Sequence, residues 1–388
     1  MSKRIVVCLD GTWNDEEKMK HGELALTNVK KLHDALSPSA EQSLGYFPGV
    51  GTKLGQKIRG GTLGYGLFEQ VKHGYQFIVD RYEPGDILYL FGFSRGAYCA
   101  RSLGGMLAQC GVLRRDAVPA VNMLDVSKLE LEVLEQDDKL NPPTAIDKTF
   151  LMYKRAADPS FQADVARFKQ QHCHDTNIGM IGVWDTVGAM GLPEEVLHGL
   201  FKRFVTRLDD KRFGFLDTTL SPRVEAAYHA VAIDEHRKTF APTLWTGPRI
   251  NQPGKNVEQV WFAGAHSDVG GGYPEDALSN LALAWMIDKA RQHGLTFTAE
   301  REQAILTDCD ACGTLHDSLK SFVPLLGGIL IEHGILQGLA REIVAGSWLH
   351  ASVNARLAGD TNYAPKSLRV VDSNGKRLVE ATTYTLVS

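Results

Sequence analysis

The chain of 388 residues lacks the runs that mark several classes of protein. It has no long basic run: 42 lysines and arginines stand against 46 aspartates and glutamates, a formal charge of −4, so charge gives no support to a nucleic-acid partner. No apolar stretch is long enough to span a bilayer. The first apolar run, Ile5-Val6-Val7-Cys8-Leu9, is too short for a signal-peptide core and ends in Asp10-Gly11-Thr12. These absences predict a soluble protein made in the cytoplasm, with export by a route that needs no signal peptide left open. Internal repeats and low-complexity linkers are also missing. Cysteine is sparse and scattered: Cys8, Cys99, Cys110, Cys173, Cys309 and Cys312 read as reduced thiols, with Cys8 and Cys99 in or beside apolar core segments. Cys309-Asp310-Ala311-Cys312 could be redox-active, or half of a zinc site with His172 and His174, but a lone CxxC is weak evidence. No metal and no cofactor are therefore expected.

What is present is ordinary globular composition, 44% hydrophobic and 23% charged, with length for a sizeable core. Four segments read as buried strands that stop at small or polar residues: Arg4 to Leu9, Asp86 to Phe91, Ile178 to Trp184 and Val257 to Ala263. Short continuous apolar runs of this kind fit parallel strands covered on both faces. Helical patterns lie between them. Gly66 to Tyr82 sets Leu67, Val71, Tyr75, Ile78 and Val79 on one face and stops at Glu83-Pro84-Gly85-Asp86. Ala97 to Leu107, Glu225 to His236 and Ser279 to His293 read as further helices. Strands alternating with helices predict an α/β fold, a mostly parallel sheet wound on both sides. The whole of 1–388 reads as one domain with insertions at 112–175, 188–222 and 315–350, where this fold class builds lids and substrate pockets. Around Asn374-Gly375 the segment Ser367 to Glu380 reads as a β-hairpin.

The strongest chemical signal is Gly92-Phe93-Ser94-Arg95-Gly96, a G-x-S-x-G pattern between an apolar strand and a small-residue helix. A nucleophile elbow needs that strand, turn and helix. The turn would hold Ser94 in a strained conformation. Gly92 and Gly96 would keep neighbouring backbone clear, and the helix amides would face developing negative charge. A serine hydroxyl needs a base, and the base needs a carboxylate to fix its tautomer. In this fold class the chain order is serine, acid, histidine. Asp185 closes the run Ile178 to Trp184, and His266 follows Val260 to Ala265, so order and position both fit. The two oxyanion amides are expected from Arg95 and from the loop after the first strand, at Gly11 or Thr12, with Asp10 bracing that loop. Asp268 could hold nearby backbone or orient His266 itself. His229 and His236 read as structural histidines on a helix, and His350 as a weaker alternative base.

Two other classes compete. Asp10-Gly11-Thr12 after a first strand is similar to the DxDGT start of haloacid-dehalogenase-type phosphatases, but Cys8 occupies the nucleophile's position. A metal-dependent phosphoesterase using Asp10, Asp185, His266 and Asp268 has suitable ligand types without a compact ligand motif. A non-catalytic interaction module is argued against by the intact Ser, Asp, His order.

Taken together, several segments resemble the DUF2235 family, the catalytic domain of type VI secretion phospholipase effectors of the first lipase class. They are Val7 to Asn14, Tyr89 to Tyr98, Gly182 to Gly188, Tyr228 to Arg237 and Val260 to Tyr273, spread over roughly residues 4–290. The resemblance implies an α/β-hydrolase fold with a lid, ester hydrolysis, and phospholipase A activity on glycerophospholipids. It carries the triad onto Ser94, Asp185 and His266. It also implies a lipid or ester substrate, a transient membrane-surface contact, and a secretion-system or immunity partner. Effector members are often longer, with an added membrane-anchoring region, so a cytoplasmic carboxylesterase on small soluble esters is the near alternative. The run Phe322 to Ile331, near Leu336 and Leu339, is the candidate lid or membrane contact.

Overall fold

The computed structural model describes residues 2–11, 19–20, 23–49, 62–125, 143–188, 219–319, 340–368, 379 and 384–388. Its centre is a sheet of eight strands: β1 (Arg4–Leu9), β2 (Gln42–Phe47), β3 (Ile87–Phe93), β4 (Ile178–Trp184), β5 (Val224–Ala232), β6 (Val257–Phe262), β7 (Trp348–His350) and β8 (Thr385–Val387). They lie in the order β8-β7-β6-β5-β4-β3-β1-β2, and every pairing is parallel.

Parallel strands bury both faces, and β1 shows how the sequence meets that demand. Ile5, Val7 and Leu9 point to one side, into a cluster with Leu67, Val71, Tyr75 and Ile78 of helix α2 (Thr62–Arg81) and Leu103, Met106 and Leu107 of helix α3 (Arg95–Cys110). Val6 and Cys8 point to the other, against Val29 and Leu32 of helix α1 (Asn28–Ala35) and Leu283 and Met286 of a helix over Ala277–Gln292. A period of two thus serves two helical layers. Leu103 is fully buried, so Leu103→Ala would cost about 2–5 kcal/mol.

Register decides where the chemistry sits. Leu9 stands opposite Gly92, Phe93 opposite Trp184, Trp184 opposite Ala230, and Ala232 opposite Phe262. The carboxyl ends of β3, β4, β5 and β6 are therefore level, and the residues that follow them share one rim of the sheet, where open α/β sheets gather their sites.

The four expected strands are present, with β3 running two residues further than read, into the elbow. The expected helices appear as α2, α3 and Ala277–Gln292. Glu225 to His236 is the correction. It is not a helix: Val224–Ala232 is strand β5, in the middle of the sheet. Its alanines favour a helix in isolation. Two flanking strands offer ladder bonds on both edges, and the small side chains suit a strand covered on both faces, so tertiary context prevails. Within 112–175, Val112–Leu113 pairs antiparallel with Cys173–His174, and helices cover Ala145–Arg155 and Gln162–His172. Most of 188–222, the run Phe322 to Ile331 and the turn of the expected C-terminal hairpin lie outside the described residues. Among those described, no helix is long and apolar enough to cross a membrane.

Candidate active site

Ser94 sits between β3 and α3 with φ 58° and ψ −123°. A non-glycine residue at positive φ is costly, and among the described residues only Ser94, Asp185 and Asn251 adopt it. Close packing imposes the bend. A Cβ on Gly92 would lie 2.3 Å from the Gly96 carbonyl oxygen, and one on Gly96 would lie 2.1 Å from the Leu9 carbonyl oxygen. Both positions need glycine for approach. The Ser94 N–H still donates to the Trp184 carbonyl at 3.0 Å, so the ladder holds the turn down while the side chain faces away.

Asp185 leaves β4 in the same manner, at φ 38°, its N–H donating to the Ala230 carbonyl at 2.8 Å. Its carboxylate is fully buried and its oxygens are filled. Oδ1 accepts from the Ala232 N–H at 2.9 Å and from Arg341 Nη1 at 2.6 Å. Oδ2 accepts from His266 Nδ1 at 2.6 Å and from Arg341 Nη2 at 2.9 Å. Burial would raise this carboxyl's pKa. The Arg341 guanidinium and His266 outweigh burial and hold it far below the usual carboxylate range.

His266 opens a short helix after β6, over His266–Gly270. Its ring lies between Phe93, at 4.6 Å between centroids, and Phe240, at 4.9 Å. Phe93 is the residue before Ser94, so this stack brings the imidazole beside the elbow. Its Nδ1–H is given to Asp185, which leaves Nε2 as the basic nitrogen. Burial lowers the pKa of His266 further than Asp185 raises it, so the ring is neutral at neutral pH. Among the described residues the hydrogen bonds of His266 run to Asp185 and Glu235, not to Ser94 Oγ.

The loop after β5 supports the histidine. Glu235 is buried; its Oε2 accepts from the His266 N–H at 3.3 Å and its Oε1 from Ser318 Oγ at 2.9 Å. Burial would raise the Glu235 carboxyl, but hydrogen bonds and charge from Arg237 bring it down to about 2. Arg237 also lies over the Phe240 ring at 3.5 Å. His229, on β5, is structural: its Nε2 accepts from the Thr186 N–H and its Nδ1–H donates to Gln259 Oε1, both at 3.1 Å. Burial, with the charge of Arg101, pushes its pKa down to about 3. It anchors the backbone just after Asp185, from a strand and not from a helix.

The remaining expectations divide. Asp10 braces its loop, accepting from the Gly11 N–H at 2.7 Å, Thr27 Oγ1 at 2.5 Å and Tyr46 Oη at 2.7 Å. That bond takes up the Gly11 amide, a correction to its expected oxyanion role. Thr12 lies outside the described residues, and Arg95, first in α3, has an N–H with no intrahelical acceptor. Asp268 does not orient His266; it accepts from the N–H groups of Ala265 and His316, both at 3.0 Å, and from His316 Nδ1 at 2.6 Å. His350 stacks on Phe262 and pairs with Ser352 Oγ at 2.8 Å. Burial pushes its pKa down to about 4. Of the four proposed metal ligands only Asp185 and His266 are bonded to each other, Asp268 pairing with His316 and Asp10 with Thr27 and Tyr46, and among the described residues no three His, Cys, Asp or Glu side chains form a group able to hold a metal. Arg341 and Glu235 were not foreseen as site residues. Nothing in the pattern around Arg341 marks it, whereas Glu235 lies inside a segment already similar to the family.

The parallel sheet with helices on both faces is an α/β-hydrolase-like fold, with a serine at positive φ at a strand–helix turn and a histidine–aspartate pair on the same rim. The chain belongs to the type VI secretion Tle1-like phospholipase effector family, whose catalytic-domain model matches residues 3–289. It is also similar to an uncharacterised protein of Saccharomyces cerevisiae, 26% identical over 262 residues, covering 63% of this chain and 33% of that one. Among solved structures it is similar to an uncharacterised protein from Pseudomonas aeruginosa, with TM-score 0.39, 18% identity and coverage of 79% of this chain and 48% of that one. A Tle1 effector bound to the VgrG spike of the type VI secretion system gives TM-score 0.36 and 17% identity, covering 70% of this chain and 51% of that one. The chain thus spans a third of the yeast relative and about half of each solved chain.

Proposed function

We propose that this chain is a serine ester hydrolase that removes acyl chains from glycerophospholipids, with Ser94 as nucleophile, His266 as base and Asp185 as its orienting acid. The observation that carries the reading is the setting of His266. It is neutral, its Nδ1–H is fixed by a buried carboxylate, and its ring is stacked beside a serine held at φ 58°. Nε2 takes the Ser94 proton as Oγ attacks the ester carbonyl carbon. The oxyanion that forms is met by the Arg95 amide and by one from the loop after β1, for which Thr12 is the remaining choice. Collapse of the tetrahedral intermediate releases the alcohol, which receives the proton from His266. Water, deprotonated by the same nitrogen, then frees the fatty acid. The lipid substrate rests on family membership, and a secretion-system partner belongs to the same reading.

A fluorophosphonate probe tests the nucleophile: the adduct is expected on Ser94, and labelling that survives Ser94→Ala refutes the assignment. Lipid mass spectrometry tests the substrate. Fatty acid and lysophospholipid released from mixed bilayers support the phospholipase. Turnover of short soluble esters with bilayers untouched leaves a carboxylesterase.

A further inference from the structure

Arg341 lies 156 residues from Asp185 in the chain, yet its side chain is only 5% exposed and four hydrogen bonds spend its guanidinium inside the site. Two go to the Asp185 oxygens. The other two go to backbone carbonyls, Ala232 at 2.7 Å and Phe240 at 2.5 Å. Those carbonyls are informative. Ala232 ends β5, and its own N–H bonds Asp185 Oδ1; Phe240 carries the ring stacked on His266. One planar cation therefore ties together the acid, the strand end beside it and the aromatic wall of the base. A planar fork matches a carboxylate in two bonds, which a lysine cannot do.

We propose that Arg341 is a positioning residue of the active site: it locks the plane of the Asp185 carboxylate so that Oδ2 faces His266 Nδ1, and it neutralises the charge that carboxylate would otherwise set against the imidazole. This rests on the reading of Ser94, His266 and Asp185 given above. A carboxylate with about four acceptor sites, all filled, has no freedom to rotate away from its histidine. An unneutralised aspartate would also pull the proton onto the ring and make it a poor acceptor at moderately acid pH. Among the described residues, the charged groups around His266 are Asp185 after β4, Glu235 and Arg237 after β5, and, behind Asp185, Arg341. Burial lowers the ring's pKa and outweighs the rise from Asp185 and Glu235, Arg237 lowers it further, and Arg341 offsets the charge of Asp185. Removing Arg341 leaves a net negative charge, and the sign follows: the proton is held more tightly and the acid limb of activity moves to higher pH.

The test uses Arg341→Gln and Arg341→Lys in the full chain, with kcat/KM on a soluble short-chain ester measured across pH. Arg341→Gln is expected to move the acid limb up by about one unit or more and to lower the plateau by about ten-fold or more. Arg341→Lys keeps the charge without the fork. It should leave the acid limb near its original pH while the plateau stays depressed, which separates charge from orientation. An acid limb unmoved in Arg341→Gln overturns the electrostatic half, and a plateau fully restored by lysine overturns the orienting half. Histidine 1H–15N spectra, with the His266 signal assigned by its loss in His266→Gln, give the same titration without turnover. An upward shift of that signal in Arg341→Gln with no hydrolysis in the wild type would leave Arg341's effect standing and refute the hydrolase reading instead. If Arg341→Gln does not fold, the lysine variant and its His266 titration still decide.

Discussion

Two histidine–aspartate pairs lie on this rim, and they behave oppositely. His266–Asp185 and His316–Asp268 both close at 2.6 Å through Nδ1, and both aspartates are buried. Burial lowers the pKa of each ring. At His266 burial prevails and the ring stays neutral. At His316 the carboxylates prevail and the pKa rises. The difference lies in the neighbours. Asp185 shares its charge with Arg341, whereas Asp268 takes its other bonds from backbone N–H groups. His316 also turns Nε2 to Glu275 at 3.4 Å and stacks flat on Tyr273, with 3.7 Å between centroids. A ring with both nitrogens facing carboxylates has no free lone pair to offer a substrate. It is a clamp, and only His266 keeps a basic nitrogen. The length of a His–Asp bond thus does not identify a catalytic pair; the second partner of each group does.

The sharpest way to break this comparison is to remove each ring. His266→Ala should cost about 10³–10⁶ in turnover, while His316→Ala keeps turnover within a few-fold. Steady-state rates on a soluble ester check both, and a reversed pattern would make His316 the base. The acids come next. Asp185→Asn should lower kcat by about 10⁴ through the wrong tautomer, and Asp268→Asn should cost about 1–3 kcal/mol of stability with chemistry kept, read by denaturant unfolding.

A smaller contrast is set by pH. Because the pKa of folded His266 is lowered, the acid limb of kcat/KM should fall below the ordinary histidine value of about 6.5. Because that of folded His316 is raised, its stabilisation is complete below the unfolded value and is lost as pH rises through the folded one. Thermal midpoints of wild type and His316→Gln should therefore converge as pH climbs above neutrality, and a gap that widens would contradict the clamp. Smallest of all is Tyr273→Leu, expected to cost up to about 1.5 kcal/mol for the lost stack with no change in turnover.

Much of the site was legible because its chemistry sits where apolar runs stop. Ser94, Asp185 and His266 each follow a strand that the sequence announces as an unbroken hydrophobic segment, and the elbow glycines announce a close approach. What was illegible depends on distant partners. Arg341 lies 156 residues from Asp185, beyond β5 and β6 in the chain, and no periodicity in Ala340-Arg341-Glu342 signals it. Strand β5 was misread because its alanines speak for a helix until its neighbours supply ladder bonds. The Gly11 amide could be assigned only once Asp10 was seen folding back onto it.

The sheet order carries a consequence for biosynthesis. Apart from β1 and β2, the strands are laid side by side in the order in which they leave the ribosome. The close packing at the elbow involves β1, β3 and α3, all within residues 4–110. In the proposed triad the acid arrives with β4 and the base after β6, and Arg341 comes later still. A nascent chain therefore holds its nucleophile long before the carboxylate that steadies its base is fastened. On the proposed reading, competence for hydrolysis is acquired only after Arg341 has emerged. Stalled chains ending before and after Arg341 should differ sharply in fluorophosphonate labelling, and equal labelling would show that the site matures without its last tie.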